Sequence, residues 1–283
     1  MKSVALVMMV LLLVSCTRST ANDPIDINFK SGTSGIELQL LANHPPRRIV
    51  EGSTFNIAVQ VSNTGAYDMG VGEITVIGLD QVYTPIERQD AVIPPLKGRS
   101  ESNNQGDFYV QEFSGGKTVV PPGAKEYRAK FLLVAAYEYM NVVGKDVCIN
   151  PALIEIESEQ ASCQIQDRIR LSGQGAPVAV TQIEETVSPV GDDVKIDFIL
   201  TIDNRGRGKV VSPILISDVR LGTKPLTCNK REITVFELEN KRNTVVCSRT
   251  EQRQSAYTSP LSATLQYMYK TTEEGEFVVQ RSR

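Results

Sequence analysis

The stretch that decides the fold is residues 55–65, which read FNIAVQVSNTG. Apolar side chains alternate with mostly polar ones along it, and a period of two indicates a strand with one buried face. The stretch ends in Asn63-Thr64-Gly65, a turn signal, because asparagine and glycine adopt positive φ at low cost. An apolar-rich stretch resumes at residues 71–79. The sequence therefore predicts a strand-turn-strand unit.

The same unit returns in the second half of the chain. Residues 196–206 read IDFILTIDNRG and align with residues 55–65 at their apolar positions, their asparagine and their final glycine. The far ends of the halves also match, since Ala136-Tyr137-Glu138-Tyr139 resembles Gln266-Tyr267-Met268-Tyr269. The chain thus contains an internal repeat, which indicates two modules of related structure.

Short β-branched and aromatic segments fill the space between these landmarks, at residues 108–113, 127–134, 232–238 and 244–247. Turn clusters separate them, which is typical of an all-β sandwich. Residues 172–177 (SGQGAP) have the composition of a linker. We therefore expect a first module at 27–171 and a second at 178–283, with solvent loops at 81–106 and between Cys148 and Cys163.

Four segments of the first half carry a family resemblance. Gly35-Ile36-Glu37-Leu38, Pro45-Pro46, Val50-Glu51-Gly52 and Ser62-Asn63-Thr64-Gly65 are similar to the Ig-like, CARDB-type modules of archaeal and bacterial surface proteins. The resemblance implies an all-β protein with two tandem Ig-like β-sandwich domains and an extracellular adhesion, spacer or assembly role. It supplies no catalytic residues.

The N-terminus has the features of an export signal. Lys2 precedes an apolar run at residues 4–14, which is far shorter than the ~20 residues that span a bilayer. Leu13-Val14-Ser15-Cys16 resembles the lipobox of prokaryotic lipoproteins. By that resemblance residues 1–15 are a signal peptide, Cys16 carries the lipid, and residues 16–26 form a flexible tether. An ordinary secretory signal with an incidental Cys16, or an uncleaved short anchor, is the alternative.

The other four cysteines form two local pairs by position, Cys148 with Cys163 and Cys228 with Cys247. Export and an even count favour disulfides, and four cysteines allow three connectivities, of which local pairing is the simplest. Each closed loop would stabilise the fold by about 3 kcal/mol. A zinc site is the competing interpretation, but the chain has no C-x-x-C motif and its one histidine lies far from these cysteines.

Little in the sequence indicates catalysis. The net charge of -3 and the lack of a basic patch argue against nucleic-acid binding. His44 is the only imidazole, and it lies in Asn43-His44-Pro45-Pro46, which we interpret as an exposed loop. The chain carries no nucleophile elbow, Walker loop or dinucleotide fingerprint. We therefore expect no enzyme activity, no cofactor and no metal, although loop binding of calcium through Asp23 and Asp26 or Asp192 and Asp193 stays open.

Two further patterns leave alternatives. Acidic neighbours such as Glu184-Glu185, Asp192-Asp193 and Glu273-Glu274 point to opposite faces of a strand, so adjacency does not build a catalytic pair. The four tyrosines at 137, 139, 267 and 269 form either an aromatic platform or half-buried core positions.

The function expected from the sequence is a non-catalytic protein on the extracytoplasmic side of a membrane. Lipid at Cys16 anchors it, and loops or a strand edge contact a protein partner. The alternatives are envelope polysaccharide binding, for which the loop at 100–105 is the candidate, and a carboxylate- or metal-dependent hydrolase.

Overall fold

The computed structural model describes residues 29–151 and 163–282. The predicted signal peptide (1–15), Cys16 and the tether (16–26) lie outside the described residues. The described chain is all-β, as the sequence predicts. Its strands are β1 (Ile36–Leu40), β2 (Arg48–Val50), β3 (Phe55–Asn63), β4 (Met69–Ile77), β5 (Asp90–Ile93), β6 (Phe108–Gly115), β7 (Glu126–Ile149), β8 (Arg168–Arg170), β9 (Val178–Val190), β10 (Asp193–Asn204), β11 (Lys209–Val210), β12 (Ile214–Leu221), β13 (Lys224–Pro225), β14 (Thr227–Cys228), β15 (Glu232–Ile233), β16 (Thr244–Gln252) and β17 (Tyr257–Gln280).

These strands form three sheets. One has the order β1-β3-β6, and a second has the order β14-β16-β10-β9-β8. The large third sheet has the order β13-β12-β17-β7-β4-β5, with β2 and β11 paired to β17 and β15 paired to β12. One buried hydrophobic cluster contains residues of all three sheets, an arrangement that is compatible with β-sandwich packing.

The centre of the large sheet is the pair β7–β17. Both strands have 24 residues. They run antiparallel over their whole length, from Glu126 opposite Gln280 to Ile149 opposite Tyr257. Strands of this length are uncommon, and here the pair joins the two halves of the chain.

Each long strand contributes to both halves. The second half of β17 lies beside the first half of β7, which in turn borders β4. There Phe277 of β17 packs on Phe55 of β3, with ring centroids 4.9 Å apart. At the other end, β7 lies beside the first half of β17, and its Cys148 is bonded to Cys163 just before β8. The halves therefore exchange the ends of their last strands.

The segment predicted as a linker is packed against both halves. Residues 175–177 are buried. The Ala66 N–H donates to the Gly175 carbonyl at 2.7 Å, and the Gly175 N–H donates to the Gly32 carbonyl at 2.9 Å. On the other side, the Arg205 N–H donates to the Pro177 carbonyl at 2.7 Å. The division of the chain into modules at 172–177 stays a prediction, while the structure shows residues 175–177 as buried.

One predicted strand is wrong in part. Residues 232–238 were expected to be extended, but only Glu232–Ile233 is, and a short helix α1 (Val235–Glu239) follows. Thr234 Oγ1 accepts the Glu237 N–H at 3.2 Å, and the Glu237 carboxylate accepts the Thr234 N–H at 2.9 Å. This reciprocal capping box satisfies the free N–H groups of the first turn, which favours the helix over the strand.

Candidate binding surfaces

Both local cysteine pairs are disulfides in the structure, Cys148–Cys163 and Cys228–Cys247. Two disulfides indicate an oxidising, extracytoplasmic environment. Within residues 29–151 and 163–282, no helix combines the length and the apolar character needed to cross a membrane. Cys16, the predicted lipid site, lies outside the described residues.

The four tyrosines form one buried cluster rather than a platform. Tyr137 pairs with Tyr269 and Tyr139 with Tyr267 across β7–β17, and neighbouring ring centroids lie 5.9–6.4 Å apart. None of the four is more than 2% exposed. The rings are therefore more deeply buried than the half-buried positions expected from the sequence, because the two covering sheets meet over this point.

Backbone groups satisfy two of the buried hydroxyls. The Tyr137 hydroxyl accepts the Ile36 N–H at 3.0 Å, and the Tyr267 hydroxyl accepts the Val178 N–H at 3.3 Å. Burial raises the pKa of both phenols, so they stay neutral. The cluster thus joins the first strand of each half to the central pair, and it is structural.

His44 and the acidic neighbours Glu184 and Glu185 lie in different surroundings. His44 is exposed, and its Nδ1 lies 3.0 Å from the Ala42 carbonyl. Glu184 pairs with Arg168 at 3.2 Å, whereas the next residue, Glu185, is buried. In the described chain no three His, Cys, Asp or Glu side chains are close enough to hold a metal ion.

Glu185 is a strongly perturbed carboxyl beside a cleft. The residue is 8% exposed, and among the described residues its Oε1 has no hydrogen-bond partner. Burial and then the nearby Asp167 raise the pKa of Glu185 to about 7. Both carboxyls line a cleft of about 630 Å³ together with Ile165, Arg168 and Thr186.

The outer face of the large sheet is apolar at its centre. Its exposed apolar side chains here are Val71, Met140, Val142, Val211, Leu215 and Met268, each between 37% and 63% exposed. We call these six residues the outer apolar patch. Their strand neighbours Tyr139, Val143, Ile216 and Tyr267 point the other way and are buried, because side chains alternate along a strand.

The pairing register places the patch in adjacent rows. Leu215 pairs with Gln266, and Gln266 pairs with Met140, so one row crosses three strands. In the next row the Val211 N–H donates to the Met268 carbonyl, and Met268 pairs with Glu138. Val71 lies in the register shift of β4 opposite Glu138. Gln266 and Glu138 lie among these apolar side chains and are hydrogen-bonded to each other. Exposed apolar side chains clustered in this way are typical of interaction sites.

Sequence reasoning missed the patch, although a signal was present. Strand segments with a solvated face alternate strictly, whereas residues 139–143 (YMNVV) and 267–269 (YMY) carry apolar side chains in both phases. Apolar residues in both phases indicate a strand covered on both faces. The pattern was interpreted only for its inward tyrosines.

A second surface is a polar cleft of about 660 Å³ on the outer face of the β1-β3-β6 sheet. Glu37 pairs with Ser62, and Ser62 pairs with Phe108, whose ring is 64% exposed. Asn104 and Gln105 line the same cleft, and both belong to the loop at 100–105 that the sequence offers as the candidate for polysaccharide binding. An exposed ring beside amide and hydroxyl groups suits a polar ligand with one apolar face.

Comparisons with known proteins do not assign a family. No family model matches the chain, and no curated protein matches it. Among the solved structures that match is the E. coli chaperone DraB, at 13% identity and a TM-score of 0.18, over 82% of this chain and 87% of that one. A likeness of this degree supports no conclusion about fold or function.

Proposed function

We propose that the chain is a non-catalytic, lipid-anchored surface protein of two Ig-like modules, which acts in adhesion, spacing or envelope assembly through protein contacts. The outer apolar patch carries this proposal. Apolar side chains that are exposed together on a sheet mark a surface that another protein covers. The two disulfides support display in an oxidising compartment. The lipobox-like end at Cys16 supports the anchor.

Site-specific photo-crosslinking in intact cells tests the patch. A photoreactive amino acid replaces Met140, which is 50% exposed in the patch, or Val82, which is 70% exposed elsewhere and is the matched control. The proposal expects discrete adducts of higher mass at position 140 and none at 82. Free chain at both positions, or the same adducts at both, would overturn it.

The polar cleft favours envelope polysaccharide binding as a second function. Phe108 is the exposed ring on which a sugar would stack, and Phe236 on α1 has the same 64% exposure but does not line this cleft. Co-sedimentation with isolated envelope polysaccharide tests this. Loss of binding in Phe108→Ala with retention in Phe236→Ala supports it, and equal behaviour of the two variants rejects it.

A carboxylate-dependent hydrolase rests only on the Asp167 and Glu185 carboxyls, which line one cleft. If the chain is such a hydrolase, the wild type should release reducing ends from the same polysaccharide and the Glu185→Gln variant should not. Wild-type preparations that release none would remove this alternative.

A further inference from the structure

Two lysines lie side by side at one border of the outer apolar patch. Lys209 on β11 and Lys270 on β17 are register partners, and both point outward because Val210 and Tyr269 beside them are buried. In the described chain neither lysine is in an ion pair. Like charges directly opposite each other on paired strands are destabilising. An acidic partner at this border would relieve the repulsion.

The opposite border of the patch carries an acidic residue. Lys270 pairs with Ala136, and Ala136 pairs with Glu73 on β4, so one row of the sheet reads Lys209, Lys270, Ala136, Glu73. Glu73 is exposed and also has no ion pair among the described residues. With strands about 4.8 Å apart, three spacings place Lys209 roughly 14 Å from Glu73. The two charges therefore cannot pair within one chain.

We propose that a second copy of this chain docks face to face on the outer apolar patch. The two copies are related by a two-fold axis that lies between the packed sheets, parallel to β7 and β17 and over the line where these two strands meet. Such a rotation exchanges the left and right borders of the patch and keeps the strand direction. Lys209 of each protomer then faces Glu73 of the other. Packed sheets lie about 10 Å apart, a gap that extended lysine and glutamate side chains bridge.

The next two rows meet as follows under this rotation. Val211 lies against Val71 of the other protomer, and at the seam Met268 lies against its Glu138 and Gln266 against its Met140. The Glu138 carboxylate accepts a hydrogen bond from Gln266 within each chain, so this central carboxylate keeps a partner in the dimer. A two-fold axis perpendicular to the strands would instead place the lysine row over the row of Gln266 and Leu215, where no carboxylate balances it. An apolar centre with charged, self-complementary borders is the anatomy of a symmetric dimer interface. This inference rests on the proposed function and names its partner.

Sedimentation equilibrium of the exported chain tests the dimer, with Cys16→Ser included to remove the proposed lipid. The wild-type surface should dimerise, and Glu73→Lys or Lys209→Glu should each raise the dissociation constant about tenfold or more. The double variant restores opposite charges across the axis, so its dissociation constant should return to within about threefold of wild type. Glu112→Lys, an exposed glutamate on β6, is the matched control and should change nothing.

A wild-type surface that stays monomeric up to about 100 µM, or a double variant as weak as the single ones, overturns the dimer. The outcome is separable from that of the proposed function. If the chain is monomeric in solution while Met140 still gives adducts with other proteins in cells, the dimer fails and the proposed function stands. If neither dimer nor adduct forms, both fail.

Discussion

The hydroxyl of Tyr139 on β7 lies 3.2 Å from Oδ1 of Asn63 on β3, 76 residues earlier in the chain. The second half repeats the contact, because the Tyr269 hydroxyl lies 3.0 Å from Oδ1 of Asn204. The two asparagines are the ones that align in the sequence repeat. One hydrogen-bonded corner is thus built twice, and each copy ties a covering sheet to the shared sheet.

Removing either corner hydroxyl should destabilise the fold. We expect Tyr139→Phe and Tyr269→Phe each to lower the free energy of unfolding by about 1–2 kcal/mol, since each leaves a buried hydrogen bond unmade. Urea denaturation measures the change. Tyr109→Phe is the control, because that hydroxyl donates to the half-exposed Gln111 side chain and its loss should have little effect. Wild-type stability in both corner variants would show that these contacts are not formed.

The strand exchange predicts where a mutation in the last strand acts. Phe277 is 1% exposed and packs on Phe55 and Phe131. Phe277→Ala should cost about 3–5 kcal/mol. Amide hydrogen exchange should then accelerate in β3 and β6 of the first half before β10 of the second. Val278→Ala, which alters the neighbouring outward position, is the control. Faster exchange first in β10 would contradict the exchange of strand ends.

Local pattern predicted the strands but not their partners. The alternation at 55–61 and 196–202 and the Asn-x-Gly ends appear as β3, β10 and their turns, where the asparagine accepts the glycine N–H. The pairing of β7 with β17 joins residues far apart in the sequence, and a period of two looks the same in any register. Burial of residues 175–177 and the outer apolar patch follow from that pairing, so neither was predicted.

The two disulfides should stabilise the folded chain by similar amounts. By the loop-entropy argument, replacing either Cys148 and Cys163 or Cys228 and Cys247 by serine should cost about 3 kcal/mol. The sequence separations, 15 and 19, are close. Thermal unfolding of the two double variants, each beside the reduced wild type, measures the cost. A variant that unfolds at the same temperature as the oxidised wild type would show that the disulfide it lacks does not restrain the unfolded chain.

The predicted lipid at Cys16 is tested by intact mass. The membrane-extracted chain should begin at Cys16 and carry acyl mass, and reduction should add four hydrogens for the two disulfides. Cys16→Ser should abolish the acyl mass and release the chain from the membrane. A mature chain that begins elsewhere, or an unchanged membrane fraction in the variant, would contradict the anchor.

The raised pKa of Glu185, about 7 against an ordinary 4.5, makes stability depend on pH. Between these two values the folded chain binds more protons than the unfolded chain, so the wild type loses stability as the pH rises through this window. Glu185→Gln stays neutral, and we expect it to match the wild type near pH 4.5. At about pH 8 the variant should be more stable by about 1–3 kcal/mol. Glu184→Gln removes an exposed ion pair and should show no such gain. Parallel pH profiles for wild type and Glu185→Gln, measured by urea denaturation, would mean that the carboxyl ionises freely and is not enclosed.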